Sequence, residues 1–402
     1  MSIIITQTFA FFLLILQPHN PPFQLVESFP VETDLNITDI PEASDVWIEM
    51  IRSAERSLDI EQFYISSAAG EALDPIIEEI ENAAKRGVAI RILLDTRMSA
   101  TYPEPATSLA ANPNIDLRTI DFAAHFGGAQ HAKFFIVDNR EAFMGSQNFD
   151  WRALKHISEI GLRIREPRVV DFYSSIFAMD WSLAGGTIKR DQSPVAGKKF
   201  IKPLMAIQSP GDTVWYTPTA SPLSYIPDSS RWDEPHILST IAGAQNDLRL
   251  QFLSYTPYNR NGEYYPVIDS SIRAAACRGV RVKLMVADWG KGRRSEKYLK
   301  ELSALPNIEI RYACVPEWSG GYISYSRVEH CKFITADDMT FWLGTSNAER
   351  NYFHGSRNLG IVITNKKLTR QLNKKFDTSW ESPTTERITV NSSFLPREYG
   401  ER

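Results

Sequence analysis

The sequence predicts an α/β protein built from two duplicated halves, and three observations support this fold class. First, the segment 85–95, KRGVAIRILLD, recurs at 277–286 as CRGVRVKLMV. Second, a short strand pattern and a helix-like stretch precede both segments. Third, a hairpin pattern follows both. At 402 residues the chain also exceeds the usual size of one hydrophobic core, so two units are expected.

The first half has the order strand, helix, strand, hairpin. Its elements are predicted at 57–64, 75–84, 85–95 and 132–144. A helix between two strands favours a parallel pair joined by a right-handed crossover. The hydrophobic runs of the hairpin are bounded by turn residues, which is typical of strands buried on both faces.

The second half repeats this order, with elements predicted at 247–255, 267–276, 277–286 and 331–343. Between the halves, the stretch 185–235 contains seven prolines and is predicted to be an irregular, surface-lying linker. The predicted domains are therefore 23–184 and 236–402.

The first 22 residues resemble a targeting signal. Residues 3–5 and 9–16 are apolar, but the stretch is shorter than the roughly 20 residues that span a bilayer. We expect a signal-peptide core or a short anchor, and hence an exported, lumenal or membrane-associated protein. A buried N-terminal segment is the alternative.

Composition and charge exclude several classes of protein. A net charge of −4 with 43% hydrophobic residues is typical of a globular chain and excludes disordered and multi-span membrane proteins. A nucleic acid or anionic lipid would have to be met by a local cationic patch. The three cysteines allow at most one disulfide, and oligomeric state is left open.

Five residues recur in both halves with the same spacing, displaced by 199 positions. They are His131, Lys133, Asp138, Gly145 and Asn148 in the first half, and His330, Lys332, Asp337, Gly344 and Asn347 in the second. Residues two apart on a strand share a face, so the histidine and lysine of each pair point the same way. The hairpin return then brings the glycine, the asparagine and a neighbouring Ser146 or Ser346 beside that pair.

An imidazole, an ammonium group and amide donors on one side of a sheet are suited to binding a phosphate. Two such half-sites facing one another would place a nucleophile and an acid on opposite sides of phosphorus, as an in-line displacement requires. Asp138 and Asp337 lie at turns and are expected to accept structural hydrogen bonds. The alternative is a pair of buried, satisfied histidines, which the complete repetition disfavours. No metal-binding pattern is present, so metal-independent, cofactor-free chemistry is expected.

These motifs resemble the signature of the phospholipase D superfamily, which is His-x-Lys, four residues, Asp, six residues and Gly-x-x-Asn. Flanking segments are similar to its lysosomal, spleen-exonuclease-like branch, namely 23–28, 148–152, 289–290, 344–347 and 351–353. The resemblance implies two α/β/α sandwich halves with the active site at their interface, and phosphodiester cleavage through a phosphohistidine. It also implies 5′-to-3′ exonuclease action on single-stranded DNA or RNA, with lipid transphosphatidylation as a further activity of the branch.

The roles of the two histidines are predicted from one difference between the halves. Glu159 follows His131 at a spacing where the superfamily often has a carboxylate that holds its histidine, and the corresponding second-half residue is Asn358. We therefore predict that Glu159 supports His131 as nucleophile, with His330 as general acid and base. A surface salt bridge from Glu159 to Arg152 or Lys155 is the alternative.

The substrate is predicted less directly. Tyr255 follows a strand end and Trp289 precedes a basic turn, a combination that could bind bases and phosphates of a single strand. A packed tyrosine-rich loop is the alternative. Outside the N-terminal segment no basic amphipathic stretch indicates lipid binding, so nucleic acid is favoured over a phospholipid. A catalytically silent scaffold is disfavoured because both motifs are complete.

Overall fold

The computed structural model describes residues 20–186, 202–259 and 261–401. The strands of the first half are β1 (Phe23–Ser28), β2 (Ser57–Gln62), β3 (Ile65–Ser66), β4 (Ala89–Asp95), β5 (Ile115–Ile120), β6 (Phe134–Val137), β7 (Glu141–Gly145), β8 (Phe149–Asp150) and β9 (Ile157–Ile164). Its helices are α1 (Ala43–Arg52), α2 (Asp74–Lys85), α3 (Thr96–Thr101), α4 (Ala106–Ala110), α5 (Phe122–Phe126), α6 (Trp151–Lys155) and α7 (Pro167–Ala184).

The second half repeats this arrangement. Its strands are β10 (Leu204–Ser209), β11 (Asp212–Ser221), β12 (Asp247–Phe252), β13 (Arg281–Ala287), β14 (Ile308–Ala313), β15 (Val328–Glu329), β16 (Phe333–Ala336), β17 (Thr340–Gly344), β18 (Asn358–Thr364) and β19 (Glu386–Ile388). Its helices are α8 (Asp233–Gly243), α9 (Val267–Cys277), α10 (Arg294–Ser303), α11 (Arg350–His354) and α12 (Lys366–Trp380). None of the described helices is long and apolar enough to cross a membrane.

Seven strands follow the same order in both sheets, which confirms the predicted duplicated α/β fold. The second sheet has one additional strand at each edge, β10 and β19. The first sheet runs β1-β9-β7-β6-β2-β4-β5, and the second runs β10-β11-β18-β17-β16-β12-β13-β14-β19. The parallel pairs β2–β4 and β12–β13 are the predicted strand–helix–strand units, and β6–β7 and β16–β17 are the predicted hairpins. The central strands are buried on both faces, as their hydrophobic runs predict.

The prediction of an irregular linker over 185–235 is wrong for much of its length. Residues 187–201 lie outside the described residues, but β10 and β11 follow, and β11 pairs with β18 over seven residues. Local proline signals fail here because pairing with a buried strand overrides them. The pairing of β11 with β10 ends at Tyr216, so the part of β11 that contains Pro218 is not paired with β10. A proline, which lacks the backbone N–H, is tolerated at such an edge. The second sheet thus begins in the stretch assigned to the linker.

The halves are joined by strands that cross between them. β15 pairs in parallel with β9 of the first half, and Gln130 forms the matching bridge to Arg357 of the second half. The buried Arg357 guanidinium also binds Asp180 of α7 through two hydrogen bonds of 2.6 and 2.8 Å. One hydrophobic core cluster accordingly contains residues of both halves.

Replacing Arg357 with methionine should destabilise the protein by about 3–5 kcal/mol, because it leaves buried carboxyl groups of Asp180 and Glu61 without their cation. The free energy of unfolding in denaturant measures the effect. Arg281→Met is the matched control, since it breaks the exposed pair with Asp247 and should leave stability unchanged. Equal stability of both variants would contradict the role of this ion pair.

Candidate active site

Each catalytic-motif histidine is held by the backbone of the opposite half. The His131 N–H donates to Arg357 O over 3.0 Å, and the His330 N–H donates to Ser158 O over 2.9 Å. Both histidine residues are almost completely buried, with 8% and 9% of their surface exposed. Asn358, which follows the acceptor Arg357, is therefore brought behind His131. Glu159, which follows the acceptor Ser158, is brought behind His330.

His131 is supported by an amide rather than by a carboxylate. Its Nδ1 lies 3.0 Å from Asn358 Oδ1, while Asn358 Nδ2 donates to Tyr352 O and Thr345 Oγ1 donates to Asn358 Oδ1. Because the amide nitrogen is already used as a donor, Oδ1 faces the ring and must accept the Nδ1 proton. In neutral His131 the lone pair is then on Nε2.

Glu159 contacts His330, and not His131 as predicted. The His330 Nδ1 lies 2.9 Å from both carboxylate oxygens of Glu159, which is completely buried. The prediction was wrong because spacing along the chain does not reveal which half supplies the partner. Nor does Glu159 form the alternative salt bridge, since Arg152 pairs with Asp150 and Lys155 pairs with Glu71.

Burial and positive charge set the protonation of this site. Burial, Lys133 and Lys332 lower the pKa of His131 well below its usual value. Burial raises the pKa of Glu159 to about 7 against the opposing charge of Lys332. Burial and the two lysines also lower the pKa of His330. The half-sites thus lie within electrostatic reach of one another.

The Glu159–His330 pair consequently behaves as one titrating unit. Below about pH 7 it retains a proton between Glu159 and Nδ1, so that Nε2 also carries a proton. Above that pH the proton is lost, Nδ1–H donates to the carboxylate, and Nε2 becomes a base.

The two motif lysines are completely buried beneath the histidines. Lys133 Nζ donates to His131 O over 2.5 Å, and Lys332 Nζ donates to His330 O. Burial lowers the pKa of Lys133 and lowers that of Lys332 to about 8. Both ammonium groups therefore need an anion nearby, which a phosphate would supply.

The motif asparagines have unused hydrogen-bonding capacity. The Oδ1 atoms of Asn148 and Asn347 are buried and have no hydrogen-bond partner in the described residues. Asn347 Nδ2 donates to the Tyr352 hydroxyl over 3.1 Å. A phosphodiester oxygen can accept only from the Nδ2 groups of these amides, because Oδ1 is itself an acceptor.

Among the described residues, aromatic rings pack against the ring of His131 but not against that of His330. The rings of Phe63 and Tyr352 lie 5.1 and 5.0 Å from that of His131, both at steep angles. Leu253 and Ala153 hold the corresponding positions in the repeat. Sequence reasoning missed Phe63, Tyr352 and Thr345, because comparing the halves draws attention to identical positions only.

The remaining motif residues shape the backbone. Asp138 accepts from the N–H groups of residues 55–57, and Asp337 accepts from those of residues 245–247. A Cβ added to Gly145 would lie 2.7 Å from Gly161 Cα, and one added to Gly344 would lie 2.8 Å from Leu359 O. Glycine is therefore required where the hairpin return packs against β9 or β18.

Three predicted substrate-binding residues are used within the protein. Ser146 exchanges hydrogen bonds with the backbone of Ile160, and Ser346 Oγ donates to Asp233. Tyr255 is 2% exposed and donates to Asp269, so it packs in the core instead of forming a platform. Each of these side chains is buried because it lies on the inner face of its turn or loop.

Trp289 is half-buried beside the His330 strand. It packs with Leu253 against Val328, two residues before His330, and its ring is stacked on Tyr399 at 4.4 Å. The residue is thus close to the site, although the C-terminal segment covers one face of its ring.

No group of three or more His, Cys, Asp or Glu side chains within residues 20–186, 202–259 and 261–401 could hold a metal ion. All three cysteines are free thiols. Metal-independent chemistry remains a prediction.

Comparison with known proteins agrees with this geometry. A family model described as "Cardiolipin synthase, PLD-like domain" matches residues 47–181 and 237–380. Phospholipase D Z of Dictyostelium discoideum is 28% identical over 387 residues, covering 91% of both chains. The 5′-3′ exonuclease PLD4 of Mus musculus is 27% identical over 377 residues, covering 84% of this chain and 74% of that protein.

The fold also has a counterpart among solved structures. The phosphatidylserine synthase of Haemophilus influenzae Rd KW20 superimposes with a TM-score of 0.60 at 14% identity, covering 86% of this chain and 85% of that one. At this identity the likeness concerns the fold alone.

Two histidine–lysine–asparagine sets, electrostatically coupled at the junction of duplicated halves, define a phosphodiesterase. The chain belongs to the phospholipase D-like family and is a hydrolase of the phospholipase D superfamily.

The rate of hydrolysis should fall as the pH rises through about 7, because the Glu159–His330 pair then loses the proton on Nε2. We call this fall in rate the alkaline limb of the pH profile. Glu159→Gln should move its midpoint to lower pH, since an amide cannot retain the shared proton. Profiles of kcat against pH measure the shift.

Glu61→Gln is the matched control for this experiment. Glu61 is also completely buried with a raised pKa, but it bonds Gln130 and contacts neither catalytic imidazole. Its variant should keep the wild-type limb. An unshifted limb in Glu159→Gln would contradict the assignment of the titrating pair.

Proposed function

We propose that this phosphodiesterase is a 5′-to-3′ exonuclease of single-stranded DNA or RNA that works through a phosphohistidine. The observation that carries the substrate class is a wall of half-buried aromatic rings near His131. The stacked rings of Tyr64 and Tyr102 lie 4.9 Å apart, and the Arg152 guanidinium lies over Tyr102 and Trp151. Aromatic rings are groups on which the bases of single strands stack without sequence preference, while the buried Arg152, paired with Asp150, holds these rings in place.

This wall adjoins the catalytic groups. Tyr64 follows Phe63, whose ring contacts His131, and its hydroxyl donates to Asp150. The Asp150 charge in turn acts on the pKa of His330. A nucleotide phosphate bound between the histidines would therefore have aromatic faces within reach of its base.

His131 acts as the nucleophile and His330 as the general acid. The predicted assignment is retained, but its support differs from the predicted carboxylate. His131 is kept neutral by burial and the lysines, and Asn358 directs the Nε2 lone pair toward the cleft. His330 carries the available proton because Glu159 holds the pair protonated below about pH 7.

The proposed reaction has two balanced steps. Nε2 of His131 forms a bond to phosphorus, the bond to the leaving oxygen breaks, and that oxygen takes the Nε2 proton of His330. His330 then removes a proton from water, whose oxygen displaces His131 from phosphorus. The charges of Lys133 and Lys332 stabilise the phosphoryl oxygens in both steps.

The two histidines should respond differently to the leaving group. His330→Ala should lose about 10²–10⁴-fold in the rate of the first turnover on an oligonucleotide, but much less in the initial burst of p-nitrophenolate from bis(p-nitrophenyl) phosphate, whose phenolate leaves without protonation. His131→Ala should lose activity on both substrates. The reverse pattern would assign the roles the other way.

A covalent intermediate provides a second readout of this comparison. Rapid quenching in alkaline detergent, in which phosphohistidine is stable, should trap a phosphoenzyme in His330→Ala treated with bis(p-nitrophenyl) phosphate, where the base for hydrolysis is absent, and none in His131→Ala.

Phospholipid is the second candidate substrate, favoured by the relative named phospholipase D Z. 5′-Hydroxyl oligonucleotides and phosphatidylglycerol or phosphatidylcholine vesicles should be compared, with His131→Ala as control. We expect mononucleotide release that EDTA does not abolish. Headgroup release alone would indicate a lipase, no activity on either would indicate a scaffold, and rescue of EDTA-treated enzyme by a divalent cation would contradict metal independence.

A further inference from the structure

The hairpin β10–β11 exposes an apolar surface. Met205, Ile207 and Trp215 have 44%, 54% and 47% of their surface exposed, and they lie within eleven residues of one another. We call these three side chains the hairpin patch. Large exposed apolar groups that cluster in this way mark interaction surfaces.

The three side chains share one face of the sheet. Met205 pairs directly with Trp215, and Ile207 lies two residues further along β10. The alternate residues Leu204 and Ala206 pack against the core instead. β10 is also the outermost strand of its sheet, so the patch lies at an unpaired edge.

The chain's apolar N-terminal stretch joins the described structure beside this hairpin. Gln208 Nε2 donates to Phe23 O over 2.6 Å, and the Phe23 ring lies 5.1 Å from that of Tyr216. Residues 3–5 and 9–16, which precede this contact, are apolar in sequence. The described part of the chain therefore begins beside the β10–β11 hairpin.

Strand register places this region far from the active site. On β11, Trp215 pairs with Thr364, whereas the other end of the strand pairs with Asn358 behind His131. Six residues separate Asn358 from Thr364, or about 20 Å at roughly 3.3 Å per residue. In the first sheet Phe23 likewise pairs with Ile164, at the end of β9 opposite Glu159.

We propose that the hairpin patch docks on a lipid bilayer together with the N-terminal apolar stretch, and that the active site faces away from that bilayer. Tryptophan favours the boundary between water and lipid, and two weak apolar signals together give stable attachment. The charged groups around the patch are Arg165, Arg168, Lys202, Glu166 and Asp212, which nearly balance. Binding should thus be apolar and nearly independent of salt.

This orientation has a consequence for the reaction. A lipid headgroup in the docked bilayer would lie about 20 Å or more from the histidines, whereas a polymer in solution could reach them freely. The inference extends the proposed function but is tested separately from it.

The experiment uses the full chain with phosphatidylcholine vesicles. We expect hydrogen exchange of residues 204–215 to slow about tenfold when vesicles are added. Ile207→Glu should abolish this protection and reduce the fraction that floats with vesicles. Val390→Glu is the matched control, because Val390 is 56% exposed and follows β19 at the opposite edge of the same sheet.

Three outcomes would overturn the proposal. The first is that vesicles do not change the exchange rate of residues 204–215, and the second is that Ile207→Glu and wild type are protected equally. The third is protection that grows with protein concentration in the absence of vesicles, because this would assign the patch to a second copy of the chain. Hydrolysis of bis(p-nitrophenyl) phosphate should be the same in all variants. The oligonucleotide assay therefore reports on the nuclease proposal independently.

Discussion

The reciprocal backbone pairing between the halves is the constraint on which the active site depends. Each histidine donates its N–H to the opposite half, His330 to Ser158 and His131 to Arg357. Side chains alternate along a strand. The residue after each acceptor carbonyl must therefore lie behind the histidine that the other half contributes. Neither half contains a complete site, since the group that orients each imidazole belongs to the other half. The buried Asp180–Arg357 ion pair stabilises the same crossing.

Duplication produced a symmetric backbone, but catalysis requires an asymmetric pair of histidines. One imidazole must be neutral and the other protonated at the same pH. The asymmetry is introduced at the supports, where Asn358 corresponds to Glu159, and at the rings, where Phe63 and Tyr352 face His131 alone. An amide acceptor fixes a tautomer without adding charge, whereas a buried carboxylate retains a proton. In the proposed mechanism these three differences separate the roles of otherwise identical motifs.

The sequence predicts the fold and the motif residues well because both are repeated locally. Each half carries the same strand–helix–strand–hairpin order, and the structure has each of these elements close to its expected bounds. Long-range partners are less predictable. Glu159 contacts the histidine of the other half, β11 pairs with β18 despite its prolines, and Tyr255 is buried although it follows a strand end. In all three cases the contact that decides the outcome is distant in sequence.

The buried lysines explain how substrate binding and proton supply are coupled. Without an anion, burial lowers the pKa of Lys332 to about 8, and the two lysines lower the pKa of both histidines. A phosphodiester between them introduces a negative charge, which raises the pKa of neighbouring cationic groups. The substrate therefore stabilises the charged lysines that bind it and the proton that His330 must donate. Burial and both lysines hold the pKa of His131 well below its usual value, so in the proposed mechanism the nucleophile stays neutral when the acid is protonated.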